Sequence, residues 1–148
     1  MKRLVTEVNI EASPAQVWDV LANFDGYSSW NPFIVRAQGD AVVGAPLRLR
    51  MSPPGGRAIT LTPQVTQAVP GEVLEWLGRL GVPYLFDGRH RFELHPTASG
   101  TRVIHGEAFT GILVPFLARS LDAHTLPGLI EMNEALKVEA ESVSLVVG

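Results

Sequence analysis

The sequence predicts an α+β domain: a curved antiparallel sheet of roughly seven strands wrapped around a long C-terminal helix, with two short helices after the first strand. Three observations predict it. Residues 34–111 break into short runs, several of them alternating, punctuated by Gly and Pro in the manner of hairpins. Apolar residues recur at three- and four-residue spacing near the two ends of the chain. A sheet with one apolar face must cover that face, and the remaining helical material lies at the C-terminus. With 148 residues, 46% apolar and 18% charged, the chain has length for one core and no room for a second. Residues 1–148 are therefore expected to form a single domain.

The elements follow in order. Leu4 to Ile10 reads as a strand that meets Ser13 and Pro14, an N-cap and a first helical residue. Val17, Trp18, Leu21 and Phe24 then line one face of a short helix, with Gln16, Asp19 and Asn23 on the rest. Asp25, Gly26 and Tyr27 mark a turn, and Pro32 ends any second brief helix within Trp30–Asn31–Pro32–Phe33. Leu47, Leu49 and Met51 alternate with Arg48 and Arg50, and Ile59 and Leu61 with Thr60 and Thr62, as in strands with one buried and one wet face. Val114, Leu117, Leu121, Leu129, Met132, Leu136 and Ala140 trace the long helix, with Glu131, Glu134, Lys137 and Glu141 opposite. Pro127 should kink it or start a fresh segment.

Composition excludes several classes of function. The net charge is −3, from 12 Lys and Arg against 15 Asp and Glu, with no basic run to neutralise a row of phosphates, so nucleic acid is not an expected partner. The absence of cysteine removes disulfides, thiolate nucleophiles and thiolate metal sites. Lys2, Arg3 and Glu7 interrupt the apolar run a signal peptide needs, and no window suits a transmembrane helix. The cytoplasm is the expected location. No phosphate-binding Gly-rich loop or G-x-S-x-G elbow is present. The surplus of apolar residues suits an apolar lining or an apolar partner surface.

Local motifs point further. Ser13–Pro14–Ala15 with Val17, Trp18 and Leu21, then Trp30–Asn31–Pro32–Phe33, then Trp76 and Gly78, fall in a fixed order. They continue with Gly88, His90 and Phe92, with Thr101, Glu107, Phe109 and Gly111, and with Asn133 to Lys137. Over nearly the whole chain this order resembles the helix-grip fold of the START-like superfamily, also called the Bet v 1-like or SRPBCC group, and in particular its polyketide cyclase-like members. The resemblance implies a ligand-binding domain with an internal cavity. Members bind lipids, sterols, polyketides or plant hormones; some catalyse cyclisation or dehydration, and others regulate partner proteins. It also places Trp30 and Phe33 near the cavity entrance.

The hairpin from Gly88 to Gly111 carries the candidate chemistry. If Thr97 to Gly100 form its loop, Pro96 pairs with Thr101, and Leu94, Phe92 and His90 face Val103, His105 and Glu107. The apolar members of that face, with Phe109, should look inward and carry His90, His105 and Glu107 with them. Three readings stay open for this trio: a self-satisfied cross-strand hydrogen bond, contact with a ligand, and general acid–base catalysis. Two histidines and a carboxylate are also metal-ligand types, but the spacing matches no metal motif, and no metal or cofactor is expected. Arg89 and Arg91 flank His90 on the opposite face. Trp76 reads as core or cavity wall, and Met51, Ile59 and Leu61 likewise. Met132, Asn133 and Leu136 should form one wall from the long helix, with polar Asn133 needing a partner. His124 is expected at the surface or a helix end.

The expected ligand contacts are thus Trp30, Phe33, Met51, Trp76, His90, Phe92, His105, Glu107, Phe109, Met132, Asn133 and Leu136. The expected function is binding or carriage of a small hydrophobic molecule of lipid, sterol or polyketide type. The alternatives are a cyclase or dehydratase using His90, His105 and Glu107, and a partner-regulating module using an exposed sheet face near Arg48, Arg50 and Arg91. Monomer and homodimer both stay open.

Overall fold

The computed structural model describes residues 1–147, with side chains through Val143. The elements run β1 (Lys2–Ile10), α1 (Pro14–Ala22), a 3-10 turn (Phe24–Ser29), β2 (Ile34–Gln38), β3 (Arg48–Met51), β4 (Ile59–Leu61), β5 (Gln64–Val69) and β6 (Val73–Arg79). They continue with β7 (Asp87–Pro96), β8 (Thr101–Thr110), α2 (Val114–Ser120), a π-helical turn (Leu121–Thr125) and α3 (Leu126–Val147). The strands form an antiparallel five-stranded sheet in the order β1-β8-β7-β6-β5 and a three-stranded sheet in the order β2-β3-β4. The count is eight against the roughly seven expected. Only Thr62 and Pro63 separate β4 from β5, and there the chain passes from one sheet to the other. Backbone hydrogen bonds from Leu47 N to Pro63 O and from Val65 N to Ala45 O stitch the two sheets together. This is the α+β helix-grip architecture.

Local chemistry explains the first third. Ser13 Oγ accepts from Gln16 N (3.2 Å) while Gln16 Oε1 accepts from Ser13 N (3.0 Å), so two amides at the start of α1 are satisfied reciprocally. After the 3-10 turn, Asn31 Oδ1 accepts from both Phe33 N (2.9 Å) and Ile34 N (2.8 Å). This buried clamp sets the direction in which the chain enters β2. Phe33 then lies against α3 at Gly128, where a Cβ would sit 2.5 Å from the Phe33 ring. Glycine alone permits that approach.

At the other end Pro127 is the second residue after the π-helical turn, and the backbone stays right-handed helical from Ser120 and Leu121 through Leu126, where Leu126 N donates to Leu121 O. The helix absorbs the proline with this wider turn and does not break before it. Leu129, Met132, Leu136 and Ala140 are fully buried on α3, which packs against β1, β8 and α1. With Leu74, Phe92 and Val103, also fully buried on the sheet, they fill the middle of the grip. The β7–β8 register is the one an even four-residue loop dictates: Pro96 pairs with Thr101, Phe92 with His105 and His90 with Glu107.

Candidate functional site

A cavity of about 160 Å³ lies at one end of this filled core. The concave face of the large sheet supplies Trp76, Gly78, Gly88, His90, Glu107 and Phe109, and the small sheet supplies Met51, Ile59 and Leu61. Phe33 closes one side, and Leu121 and Thr125 of the π-helical turn another. The hollow originates at Gly78 and Gly88, which pair directly across β6 and β7. Neither position is sterically forced to be glycine: a Cβ at Gly88 would meet the Phe109 ring at 3.5 Å, and one at Gly78 would meet Pro63 at 3.7 Å. The two glycines leave space that side chains could fill. Apart from His90, Glu107, Arg79 and Thr125, the side chains of the lining are apolar.

The polar corner is the inner end of a hydrogen-bonded chain whose proton positions can be worked out. Thr6 Oγ1 donates to His105 O (2.7 Å), so its lone pair accepts from Asn133 Nδ2 (2.7 Å). Asn133 therefore turns Oδ1 toward His105 Nδ1 (2.7 Å), and Nδ1 carries a proton. Burial, reinforced by the neighbouring His90, holds the His105 pKa well below its usual value. The ring is neutral, and its Nε2 has a lone pair that accepts from His90 Nε2 (2.6 Å). One contact remains, His90 Nδ1 to Glu107 Oε1 at 3.2 Å. It is a hydrogen bond only if the two groups share a proton, as imidazolium with carboxylate or as imidazole with carboxylic acid. A hydrogen bond between these two groups, on the sheet face that meets the cavity, therefore requires one exchangeable proton. Ring stacking fixes the geometry: His90 lies on Trp76 (centroids 4.8 Å apart, planes 16° apart) and His105 on Phe92 (4.1 Å, 18°).

The twelve expected contact residues divide evenly. Phe33, Met51, Trp76, His90, Glu107 and Phe109 line the cavity. Trp30, Phe92, His105, Met132, Asn133 and Leu136 do not. Trp30 is half-buried against Tyr27. Phe92 and His105 sit one pair deeper on the same sheet face as His90 and Glu107. The α3 face bearing Met132, Asn133 and Leu136, expected as a cavity wall, instead packs into the core, and the helical side of the cavity comes from Leu121 and Thr125. Asn133 finds its partners in His105 and Thr6. His124 Nδ1 donates to Pro54 O (3.0 Å), tying the π-helical turn to the β3–β4 loop beside the cavity. Sequence reasoning missed Arg79, Leu80, Phe86, Leu121 and Thr125 as lining residues. Gly78 and Gly88 carried a usable signal, since a glycine inside a strand marks close approach or missing volume. Among the described residues no group of three His, Asp or Glu could hold a metal ion.

The outer face of the same strands carries a second cluster. Glu75, buried on β6, accepts from Thr66 Oγ1 (2.8 Å), Arg89 Nη1 (2.8 Å) and Arg91 Nη1 (2.9 Å). Burial alone would raise its pKa; the Thr66 hydroxyl and the two guanidinium groups outweigh it and hold the carboxyl below its usual value.

Comparison with known proteins agrees with this architecture. The family described as polyketide cyclase/dehydrase and lipid transport matches residues 1–136. No curated protein sequence matches the chain. Among solved structures, the Zhui aromatase/cyclase from Streptomyces sp. R1128 is similar with a TM-score of 0.76 and 20% identity, over 95% of this chain and 93% of that one. The di-domain aromatase/cyclase StfQ of the steffimycin biosynthetic pathway gives 0.76 at 14% identity, over 96% of this chain and 52% of that one. A Thermus thermophilus protein gives 0.77 at 14% identity, over 97% of this chain and 99% of that one. At these identities the structures speak for the fold. Among the described residues no helix is long and apolar enough to cross a membrane.

Proposed function

Because the chain belongs to the polyketide cyclase/dehydrase and lipid transport family, we propose that it binds a small apolar molecule bearing a carbonyl group. The apolar part lies against Phe33, Leu61, Trp76 and Phe109, and the carbonyl oxygen joins Glu107 Oε1 as a second, bifurcated acceptor of the proton held between His90 and Glu107. The observation that carries this reading is an apolar hollow with a proton-bearing pair at its polar corner. Its volume of about 160 Å³ is close to that of a cavity that takes one benzene ring. A one-ring ligand fits inside; a longer one extends outward past Ile59 and Leu80, which line the cavity and are exposed.

The same proton supports a second reading, catalysis of cyclisation or dehydration. A group that can deliver a proton to a carbonyl or departing hydroxyl oxygen, and is held in place by stacking and by a buried tautomer, is suited to general acid work. The description of the matching family, polyketide cyclase/dehydrase and lipid transport, supports this reading as well. Binding is the primary reading, because the pair needs only its hydrogen bond for it.

Calorimetry with one-ring ketones and hydrocarbons of equal size tests the proposal. The ketone should bind about tenfold or more tightly than the hydrocarbon, as one hydrogen bond to a charged or acidic group provides. Glu107→Ala should remove that difference while hydrocarbon binding persists. Equal affinities in the wild type, or no binding of either compound, would contradict it.

A further inference from the structure

The segments around the cavity mouth are apolar and exposed on their outer side. Leu80 and Phe86 of the β6–β7 loop line the cavity, while Val82 and Tyr84 between them point away from the protein. That loop is pinned to the β8–α2 loop by hydrogen bonds from Ile112 N to Tyr84 O (3.1 Å) and from Leu113 N to Leu85 O (3.1 Å). Ile112 therefore stands beside Tyr84, and Phe116 follows one turn on, its N–H donating to Leu113 O. Phe116 is 83% exposed, Tyr84 80%, Ile112 70% and Val82 65%. Tyr84 is the one non-glycine residue among those described with a left-handed backbone (φ 69°). A bulky residue rarely adopts that conformation, and here it holds an aromatic ring in solvent. Clustered exposure of large apolar side chains marks a surface that meets something apolar.

Charge identifies what it meets. Residues 52–63, 79–86 and 111–121, which surround the mouth, contain Arg57, Arg79 and Arg119 and no Asp or Glu, although the chain as a whole carries a net −3. Just beyond these segments, Asp87 is buried facing Arg79 (3.7 Å), and Asp122 is paired with Lys2 (3.0 Å). Arg119 lies three residues after Phe116 on α2, so the two are neighbours on the helix surface. Aromatic and aliphatic tips with Arg119 beside Phe116 and Arg57 on a neighbouring segment of the mouth match the boundary of an anionic bilayer, where rings sit among the headgroups and guanidinium groups meet lipid phosphates.

We propose that this end of the molecule docks on an anionic lipid surface, with Val82, Tyr84, Ile112 and Phe116 in the headgroup layer and the cavity mouth facing the membrane. The purpose of docking rests on the ligand-binding reading above: an apolar ligand would pass between bilayer and cavity without crossing water. Continuity of the patch with the lining through Leu80 and Phe86 favours this surface over a second protein.

Vesicle sedimentation with the full chain tests it, using phosphatidylcholine alone and phosphatidylcholine mixed with phosphatidylglycerol. The wild type should pellet with the mixed vesicles, remain in solution with phosphatidylcholine, and be released by salt. Phe116→Asp combined with Tyr84→Asn, which tolerates the left-handed backbone, should lower the bound-to-free ratio at least about tenfold. Arg57→Glu with Arg119→Glu should abolish the preference for phosphatidylglycerol. None of these positions lines the cavity, so circular dichroism and ketone binding in solution should match the wild type. A wild type that stays in solution with mixed vesicles, or a Phe116→Asp/Tyr84→Asn variant that pellets like it, would overturn the docking. So would a wild-type dimer that the same variant splits into monomers without any vesicle binding. Vesicle binding by a chain that binds no ketone would support the docking and overturn only the ligand reading.

Discussion

Strands β6, β7 and β8 carry a cluster of ionisable side chains on each face, and the two are finished differently. On the outer face Glu75 sits between Arg89, Arg91 and Thr66, so every donor aimed at it finds an ionised oxygen and no proton is left to place. On the inner face the chain Thr6–Asn133–His105–His90 is fixed bond by bond, and only its last link, His90 with Glu107 beside the cavity, requires a proton that the chain does not itself assign. The outer cluster contributes stability. The inner one ends in a polar pair at the cavity, the place where the proposed ligand would meet it. One set of strands can do both because side chains alternate between faces, so the charges at 89 and 91 never compete with the imidazole at 90.

Substitutions at each end of this contrast should separate the roles. The largest effect is expected from Asn133→Leu, which leaves the buried His105 Nδ1–H without an acceptor and Thr6 without its donor. It should cost about 3 kcal/mol in urea denaturation, near the upper end for a buried unsatisfied group; a loss under about 1 kcal/mol would mean the inner chain does not depend on this residue.

Glu75→Gln should cost less, about 1–2 kcal/mol, because its arginine partners are 46% and 36% exposed and water screens them once unpaired. Its signature is the pH dependence. The Glu75 carboxyl is held below its usual value in the fold, so its contribution is present above the unfolded pKa of about 4.3 and lost as pH falls toward the lower folded value. His105 is also depressed, but from an unfolded pKa of about 6.5, so its loss begins at higher pH. Thermal melts from neutral to acidic pH should show two stages, the acidic one flattened in Glu75→Gln. A single stage that ignores the substitution would break the comparison.

Gly88→Ala should have the smallest effect on stability, within about 1 kcal/mol, because its Cβ meets Phe109 at ordinary contact distance. It should nonetheless weaken one-ring ketone binding in calorimetry by occupying the hollow; unchanged affinity would move the ligand elsewhere.

Much of the architecture was legible in the sequence because it rests on local chemistry. The Ser13–Pro14 cap starts α1, alternation in residues 47–51 defines β3, and the even loop at 97–100 sets the β7–β8 register, which puts His90 opposite Glu107. The position of the cavity was not legible, since it depends on volumes that meet only in three dimensions. Helical periodicity says that Met132 and Leu136 face the sheet, and nothing in it says whether that interface is hollow or filled. Gly128 reads as a weak point in a helix until Phe33 is seen lying on it. Glu75 looks like a wet strand residue until the β6–β7 pairing sets it opposite Arg91. The partners of Asn133 come from β1 and β8, far away in the chain, so its need could be named in advance but its answer could not.

The assignment of the inner protons is the central claim, and nitrogen-15 NMR of the histidine rings tests it most directly. At neutral pH His105 should be a neutral ring with its proton on Nδ1 and none on Nε2, and His90 should carry its proton on Nε2, with Nδ1 shifted by the proton it shares with Glu107. A His105 protonated on Nε2, or present as an imidazolium, would contradict the account.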